Sequence, residues 1–500
     1  MALLRDLLAW CARCENSLGG IGDSSDSKAA AATREVLFGE AVRVFCDHLP
    51  DPVAREAAAE VVGRIFQYSR EQVAYHVNER SPLVHSDGSV LTVGRNRLPI
   101  ASADRLTYCA TRQSANLLDF LATSVSVGQS ALLVGETGVG KTSAVQYLAA
   151  VTARPLRVVN LCEQSESSDL FGGFKPVDFG FCIAPIVRDF KVLCGDTYSE
   201  KKNRSFLATL ANLNHAKRWK DLVAMMLHVA DIAVRDKKKL KFELTSRWSA
   251  LRKKLRLASD NVNRKGGDGN VFAYVDGVLT SAMRGGEWVL LDEINLAEQE
   301  TLMGLSAVLN RNDSSFRLND EAGSVIHIHP DFRIFACMNP STDVGKKDLP
   351  TSLRSRFAEF FLGEPTNRRD LELIVKEYLK ELDVPDKKVL KIVEFYAAIR
   401  KLCRTRLCDG TGHAPSFSLR TLCRALKIAA STVGRAFSGA VDRALFEAFS
   451  ICFLTELDRD SYPAVLALIA EFIGPDAKRM REPLRKPVAV GGGGRDHVQV

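Results

Sequence analysis

Five hundred residues, 46% hydrophobic and 26% charged, give room for two to four domains with substantial cores and the ordinary balance of a globular chain. No apolar run reaches the roughly 18 residues that a membrane-spanning helix needs, and Met1-Ala-Leu-Leu-Arg-Asp6 lacks the apolar stretch of a secretory signal, so a membrane partner is not expected. The net charge of +8 is unevenly placed: 19 of the 68 Lys and Arg residues lie between Lys191 and Lys265, far outnumbering the acids there, and this one segment holds the whole basic excess.

Taken in chain order, the first strong period is helical, from Tyr108 to Val125, with Leu117, Leu118 and Leu121 on one face. Ala131–Val134 reads as a short buried strand, followed by a glycine-rich loop and a helix from Lys141 to Val151. Leu156–Leu161, Trp288–Leu291, Phe332–Cys337 and Phe357–Leu362 read as further strands, with a helix from Glu298 to Leu309 between the second and third of these. Alternation of this kind predicts an α/β fold with a doubly wound parallel sheet. From 366 to 480 the pattern is wholly helical and predicts a small lid domain. The 12 cysteines are scattered, as reduced thiols used for packing would be, and Cys11-x-x-Cys14 has no second pair to complete a zinc site.

A weak internal repeat links the two ends. Leu4-Arg5-Asp6-Leu7 matches Leu419-Arg420-Thr421-Leu422, and Val36–Phe45 resembles Ala444–Phe453. The simplest account makes residues 1–65 a helical lid belonging to a preceding module. Residues 66–94 are then a linker, 95–365 the large α/β domain and 481–500 a flexible tail. Within the large domain, 191–270 forms a basic helical insertion and 311–331 a hairpin insertion.

The chemistry is concentrated in four places. Gly135-Glu136-Thr137-Gly138-Val139-Gly140-Lys141-Thr142 fits G-x-x-x-x-G-K-[ST] between a strand and a helix, with Ser143 next on that helix. Backbone N–H groups of such a loop surround phosphate oxygens, the lysine neutralises the β- and γ-phosphates, and the threonine hydroxyl ligates Mg²⁺. Trp288-Val-Leu-Leu-Asp292-Glu293 delivers Asp292 to the metal and Glu293 to the attacking water from the end of a buried strand. Asn339, after the fourth strand, is placed to hold that water or the γ-phosphate. Arg354 and Arg356 lie beyond the site as candidate fingers for an adjacent module, and Arg420 on a lid helix is a candidate to reach back.

These motifs resemble the AAA+ ATPases and, more narrowly, the midasin family of dynein-related ring ATPases. Leu133–Thr142, Asn160–Asp178, Gly286–Ala297, Pro330–Lys347 and Ser418–Leu426 carry the resemblance, which extends over roughly 95–480. It implies a Walker A lysine at Lys141, Walker B acids at Asp292 and Glu293, a sensor-1 asparagine at Asn339, a finger at Arg356 and a sensor-2 arginine at Arg420. It further implies ATP/ADP with Mg²⁺, adjacent AAA+ modules of the same polypeptide as partners, and release of assembly factors from pre-60S ribosomal particles in the nucleus. The long basic insertion points to the second of six modules, with 1–65 ending the first.

The insertion admits two readings. Arg218–His228 and Arg247–Arg256 are amphipathic, and bases with interleaved tryptophan suit ribosomal RNA; equally, two solvated helices could pack on a neighbouring module. The competing functions for the whole are a hydrolysing motor module, a nucleotide-gated structural module, and a related MoxR-like ATPase.

Overall fold

The computed structural model describes residues 4–18, 27–100, 108–109, 111–199, 203–235, 242–265, 271–309, 315–317, 325–340, 347–365, 367–382, 384–403, 405–433 and 441–474. The chain divides into two compact units, one of Met1–Ser165, Gly285–Ser314 and Ile328–Val500, the other of Glu166–Arg284 and Ser315–His327.

Four helices lead the first unit: α1 (Leu4–Leu18), α2 (Ser27–Phe45), α3 (Pro52–Ile65) and α4 (Arg70–Asn78). The last three close on a small core of Phe38, Val42, Cys46, Ala59 and Val73. Asp51 caps α3 by accepting from Val53 N and Ala54 N, with Pro52 at a position where no N–H is needed. Ser69 and Gln72 form a reciprocal capping box at the start of α4.

The stretch 66–94 is therefore more than the linker expected from sequence. It contains α4, then β1 (Val84–Ser86) and β2 (Val90–Val93), which join β3 (Asn96–Pro99) in an antiparallel sheet. Local turn chemistry makes this hairpin, since Asp87 accepts from both Ser89 N and Val90 N. The following helix, α5 (Arg112–Val127), starts later than the Tyr108 expected because Thr111 caps it through Ser114 N.

Next come β4 (Ala131–Gly135), α6 (Lys141–Val151) and β5 (Leu156–Asn160). The second unit then takes over with α7 (Ser167–Phe171), β6 (Gly172–Val177), α8 (Phe179–Thr197), α9 (Arg204–His215), α10 (Trp219–Arg235), α11 (Phe242–Lys265), β7 (Val271–Asp276) and α12 (Val278–Gly285). The first unit resumes at β8 (Trp288–Asp292) and α13 (Gln299–Val308). A short antiparallel pair, β9 (Ser315–Arg317) and β10 (Val325–His327), falls in the second unit where a hairpin was expected. β11 (Arg333–Met338), α14 (Thr351–Arg354) and β12 (Ala358–Leu362) complete the α/β domain. The lid is α15 (Arg368–Tyr378), α16 (Asp386–Cys403), α17 (Leu419–Val433), α18 (Val441–Leu454) and α19 (Tyr462–Phe472).

Five strands run parallel in the order β12-β4-β11-β8-β5. Every residue of β4 is buried, as are all but one in each of β8 and β11. Such uninterrupted apolar strands are what a sheet covered on both faces requires. The parallel direction brings the ends of β4, β8 and β11 to one edge, where open α/β sheets bind ligands.

The second unit corrects the expected insertion in extent and in kind. Its entry and exit are tied by β6 and β7, paired antiparallel from Gly172↔Asp276 to Val177↔Val271, so it begins well before residue 191. Four helices, α8–α11, share a core that includes Phe190, Leu222, Met226 and Leu255. Trp219 and Trp248 are 7% and 0% exposed in that core, so neither is on the surface to stack on a base. Each belongs to the apolar stripe by which its own helix, α10 or α11, packs into that core. The basic run 236–241 and the tail 481–500 lie outside the described residues.

Candidate functional site

The loop after β4 turns through Gly138 and Gly140, both at positive φ, and feeds directly into α6. Gly135 is required by crowding: a Cβ there would lie 2.2 Å from the Leu362 carbonyl oxygen on β12. Val139 is half-buried, Glu136 and Thr137 are exposed, and Ser143 is exposed on α6.

Lys141 is 7% exposed, and its ammonium donates to the carbonyls of Gly135 (2.5 Å) and Glu136 (2.7 Å) and to Asn339 Oδ1 (3.1 Å). An ammonium held by carbonyl oxygens across the mouth of a glycine loop is positioned to exchange them for phosphate oxygens. Asn339, 8% exposed at the end of β11, also donates from Nδ2 to Thr137 Oγ1 (3.4 Å). Thus the amide joins the lysine to the loop.

Thr142 Oγ1 donates to Asp292 Oδ2 at 2.9 Å, which brings a hydroxyl and a carboxylate from two neighbouring elements together. Oxygen donors of these types suit Mg²⁺, which binds through one or two protein oxygens and keeps most of its water. Glu293 follows at φ +54, one of four non-glycine residues described in the left-handed region. Its backbone N–H donates to Asp292 Oδ1 (3.1 Å). Strain of this kind, at the residue expected to address the attacking water, persists only where surrounding contacts fix it.

The arginines separate clearly. Arg354 is forked onto Glu359 by Nε (2.8 Å) and Nη2 (2.5 Å), a bidentate pair that occupies its planar edge. Arg356 donates Nε to Ser352 O (3.2 Å) and lies near Arg5, whose Nη1 reaches Ser355 Oγ at 3.4 Å. Burial, then the charge of Arg356, pull the Arg5 guanidinium below its ordinary value. Arg420 opens α17 with its backbone against the loop, such that a Cβ on Gly138 would lie 2.8 Å from Arg420 Cβ.

Lys141, Thr142, Asp292, Glu293 and Asn339 therefore meet at one sheet edge, with Arg420 beside the loop, while Arg356 lies with Arg5 at the start of α1. Sequence reasoning did not single out Arg5, although it occupies the repeat position of Arg420. Nor did it find Asn295, whose Nδ2 donates to Asn339 O (3.2 Å), or the pair Glu364–Arg400, which joins the β12 end to the lid. Asn295 had a signal in its place three residues after Asp292; Glu364 and Arg400 had none.

The profile of the AAA domain (dynein-related subfamily) matches residues 130–234 and 259–357. Two profiles of the midasin AAA lid domain match 370–475 and 2–69. Midasin of Dictyostelium discoideum is 32% identical over 97% of the chain, and midasin of Giardia intestinalis 28% identical over 76%. Protein CbbQ of Hydrogenophilus thermoluteolus is 32% identical over 24% of the chain and 44% of its own length. The chain spans about 9% of the length of the two midasins. With lid profiles at both ends, an AAA domain between them and a P-loop joined to the ends of β8 and β11, the chain belongs to the midasin family of dynein-related AAA+ ATPases.

Proposed function

We propose that this chain is a Mg-ATP-binding and hydrolysing motor module of a ring ATPase that acts in the nucleus to remodel pre-60S ribosomal particles and release assembly factors. The observation that carries the enzymatic part is the contact set Lys141–Asn339 and Thr142–Asp292 across the ends of β4, β8 and β11. The ribosomal part rests on the family alone.

In this reading the loop amides and Lys141 bind the β- and γ-phosphates of ATP. Thr142 and Asp292 hold Mg²⁺, which when bound neutralises charge on those phosphates. Glu293 accepts a proton from the attacking water and Asn339 holds that water in line. Arg420 approaches the γ-phosphate from the lid. Arg356, which lies beside Arg5, serves a different nucleotide, that of a preceding module, with Arg5 in that module's sensor-2 position. By the same logic this chain's own site needs a finger from a second module. Any contact of the second unit with ribosomal RNA does not use its two tryptophans, which are buried, and falls to its exposed Lys and Arg and to exposed rings such as Phe174 and Phe181.

ATP binding and steady-state hydrolysis across a concentration series, beside Lys141→Ala and Glu293→Gln, test the proposal. Expected are ATP binding abolished by Lys141→Ala and kept by Glu293→Gln, little turnover in the monomer, and activity that rises steeply with concentration. Several turnovers per second from a verified monomer would contradict completion in trans. Binding with no turnover at any concentration, repeated in a chain with neighbouring modules attached, would favour the second reading, a nucleotide-gated structural module.

A further inference from the structure

Three ionisable side chains from three elements meet beside the P-loop, and the reaction outlined above uses none of them. Glu364 lies in the segment that leaves β12, with its side chain 9% exposed, and pairs with Arg400 of lid helix α16. β12 pairs with β4 at Leu362↔Gly135, which brings the segment that carries Glu364 alongside Glu136, the residue that follows Gly135 in the loop. Arg400 is steadied from behind by Tyr396, whose buried ring lies 5.7 Å from its guanidinium carbon. The lid thus meets the loop twice: at Glu136 through Glu364 and Arg400, and at Gly138 through the backbone of Arg420.

We propose that Arg400 and Glu364 form a strut between lid and P-loop that positions Arg420 over the terminal phosphate of the bound nucleotide. The inference rests on the reading of Gly135–Thr142 as an ATP site. Both strut residues are positioning residues, because they act through the placement of Arg420.

The charge arrangement explains why the strut is sensitive to its guanidinium. Two carboxyls close together repel, and a cation beside them relieves that repulsion. Burial pushes the Glu364 carboxyl up, Arg400 opposes this, and Glu136 adds to it. Removing Arg400 leaves Glu364 facing only a like group on the loop. The lid then loses its attachment at that point, and with it a constraint on the approach of Arg420.

The test uses the full chain and measures Kd for fluorescent ADP and for a fluorescent non-hydrolysable ATP analogue. The ratio of the two reports what the terminal phosphate gains. Arg420→Ala is expected to cut that preference about tenfold, the worth of one charge-assisted hydrogen bond. Arg400→Ala is expected to cut it by a similar factor with ADP affinity little changed, and Arg400→Lys to restore part of it. The Arg400→Ala/Arg420→Ala double variant is expected to lose no more than Arg420→Ala alone. An unchanged ratio in Arg400→Ala, or two losses that multiply in the double variant, overturns the strut. Should Arg400→Ala fail to fold, Glu364→Gln keeps the shape and removes the charge; an unchanged ratio in that folded variant overturns the strut equally. Failure of the underlying reading looks different: neither nucleotide binds, or binding survives Lys141→Ala.

Discussion

Two helical lids flank one α/β domain, and they are attached to it by different chemistry. Each contains a helix opened by a leucine–arginine pair, Leu4-Arg5 on α1 and Leu419-Arg420 on α17, and each matches a midasin lid profile. The leading lid is joined to α5 and its flanks through buried charge. Arg13 donates Nε to Gln129 Oε1 (2.8 Å) and Nη2 to Ser124 Oγ (2.7 Å). Arg43 pairs with Glu40 (2.9 Å) and with Asp119, which also accepts from Asn96 Nδ2 (3.2 Å). The trailing lid has a larger apolar core of its own but is attached by sparser polar contacts, among them Asp370 Oδ1 to Arg112 N (3.1 Å) and the Glu364–Arg400 pair. Buried ionic networks add little net stability but penalise every other geometry. Among the described residues, buried charge thereby ties the leading lid to this α/β domain more extensively than it ties the trailing lid.

The largest expected effect comes from breaking the leading network. Asp119 is 2% exposed, and burial pulls the Arg43 guanidinium down while Asp119 and Glu40 raise it further than burial lowers it. Asp119→Ala leaves Arg43 buried without its strongest partner. The expected loss is about 3–5 kcal/mol in urea unfolding of the whole chain. Arg400→Ala breaks a tie whose side chains are 27% and 9% exposed and leaves Glu364 without its cation; with less burial than in the leading network, the expected cost is about 2 kcal/mol in the same assay. Similar losses from the two variants would erase the distinction between the two attachments.

Much of the α/β domain was legible because its signals are local. Buried parallel strands are continuous apolar runs, and the P-loop pattern is set by backbone conformation at Gly138 and Gly140, so strands and loop fell within a residue or two of their places. The second unit was less legible. Its basic composition masked an apolar stripe, and Trp219 and Trp248 look the same in sequence whether they face a core or a base. The strands β6 and β7 pair across about a hundred residues, a distance no local pattern spans. Nor could the different surroundings of Arg354 and Arg356 be read in sequence, because the fork on Arg354 is closed by Glu359, five residues away, with no local pattern to mark it. Glu364 and Arg400 are isolated charged residues until the lid brings them together.

A second, smaller effect sharpens the contrast by pH. His76, on α4 of the leading lid, lies edge-on to Phe38 with ring centroids 4.9 Å apart and has Arg80 Nη1 at 3.1 Å from Nε2. Burial, then Arg80, Arg43 and Arg95, lower its pKa to about 3. The unfolded chain therefore takes up this proton first, near pH 6.5. The contribution is complete above about pH 6.5 and is lost as pH falls from there towards 3. The slope is about 1.4 kcal/mol per pH unit, hence about 1.4 kcal/mol at pH 5.5. Unfolding midpoints between pH 5 and 8 check this: His76→Gln should flatten the acid limb relative to the unsubstituted chain, and an acid limb that survives would remove His76 as its source.

The smallest effect compares one cap from each lid. Ser69 begins α4, with its Oγ accepting from Gln72 N at 3.3 Å while Gln72 Oε1 accepts from Ser69 N at 2.9 Å. Asn367 begins α15, with Oδ1 accepting from Arg369 N at 3.0 Å. Either cap is worth about 1 kcal/mol when replaced by alanine. The two losses should nevertheless surface in different measurements. If the leading lid unfolds together with the α/β domain, Ser69→Ala lowers global stability by about 1 kcal/mol. If the trailing lid opens separately, Asn367→Ala leaves the global midpoint in place and speeds amide exchange in α15 instead. Equal shifts of the global midpoint would make both lids part of one cooperative unit, and movement of the trailing lid would then have to be rigid-body movement without local opening.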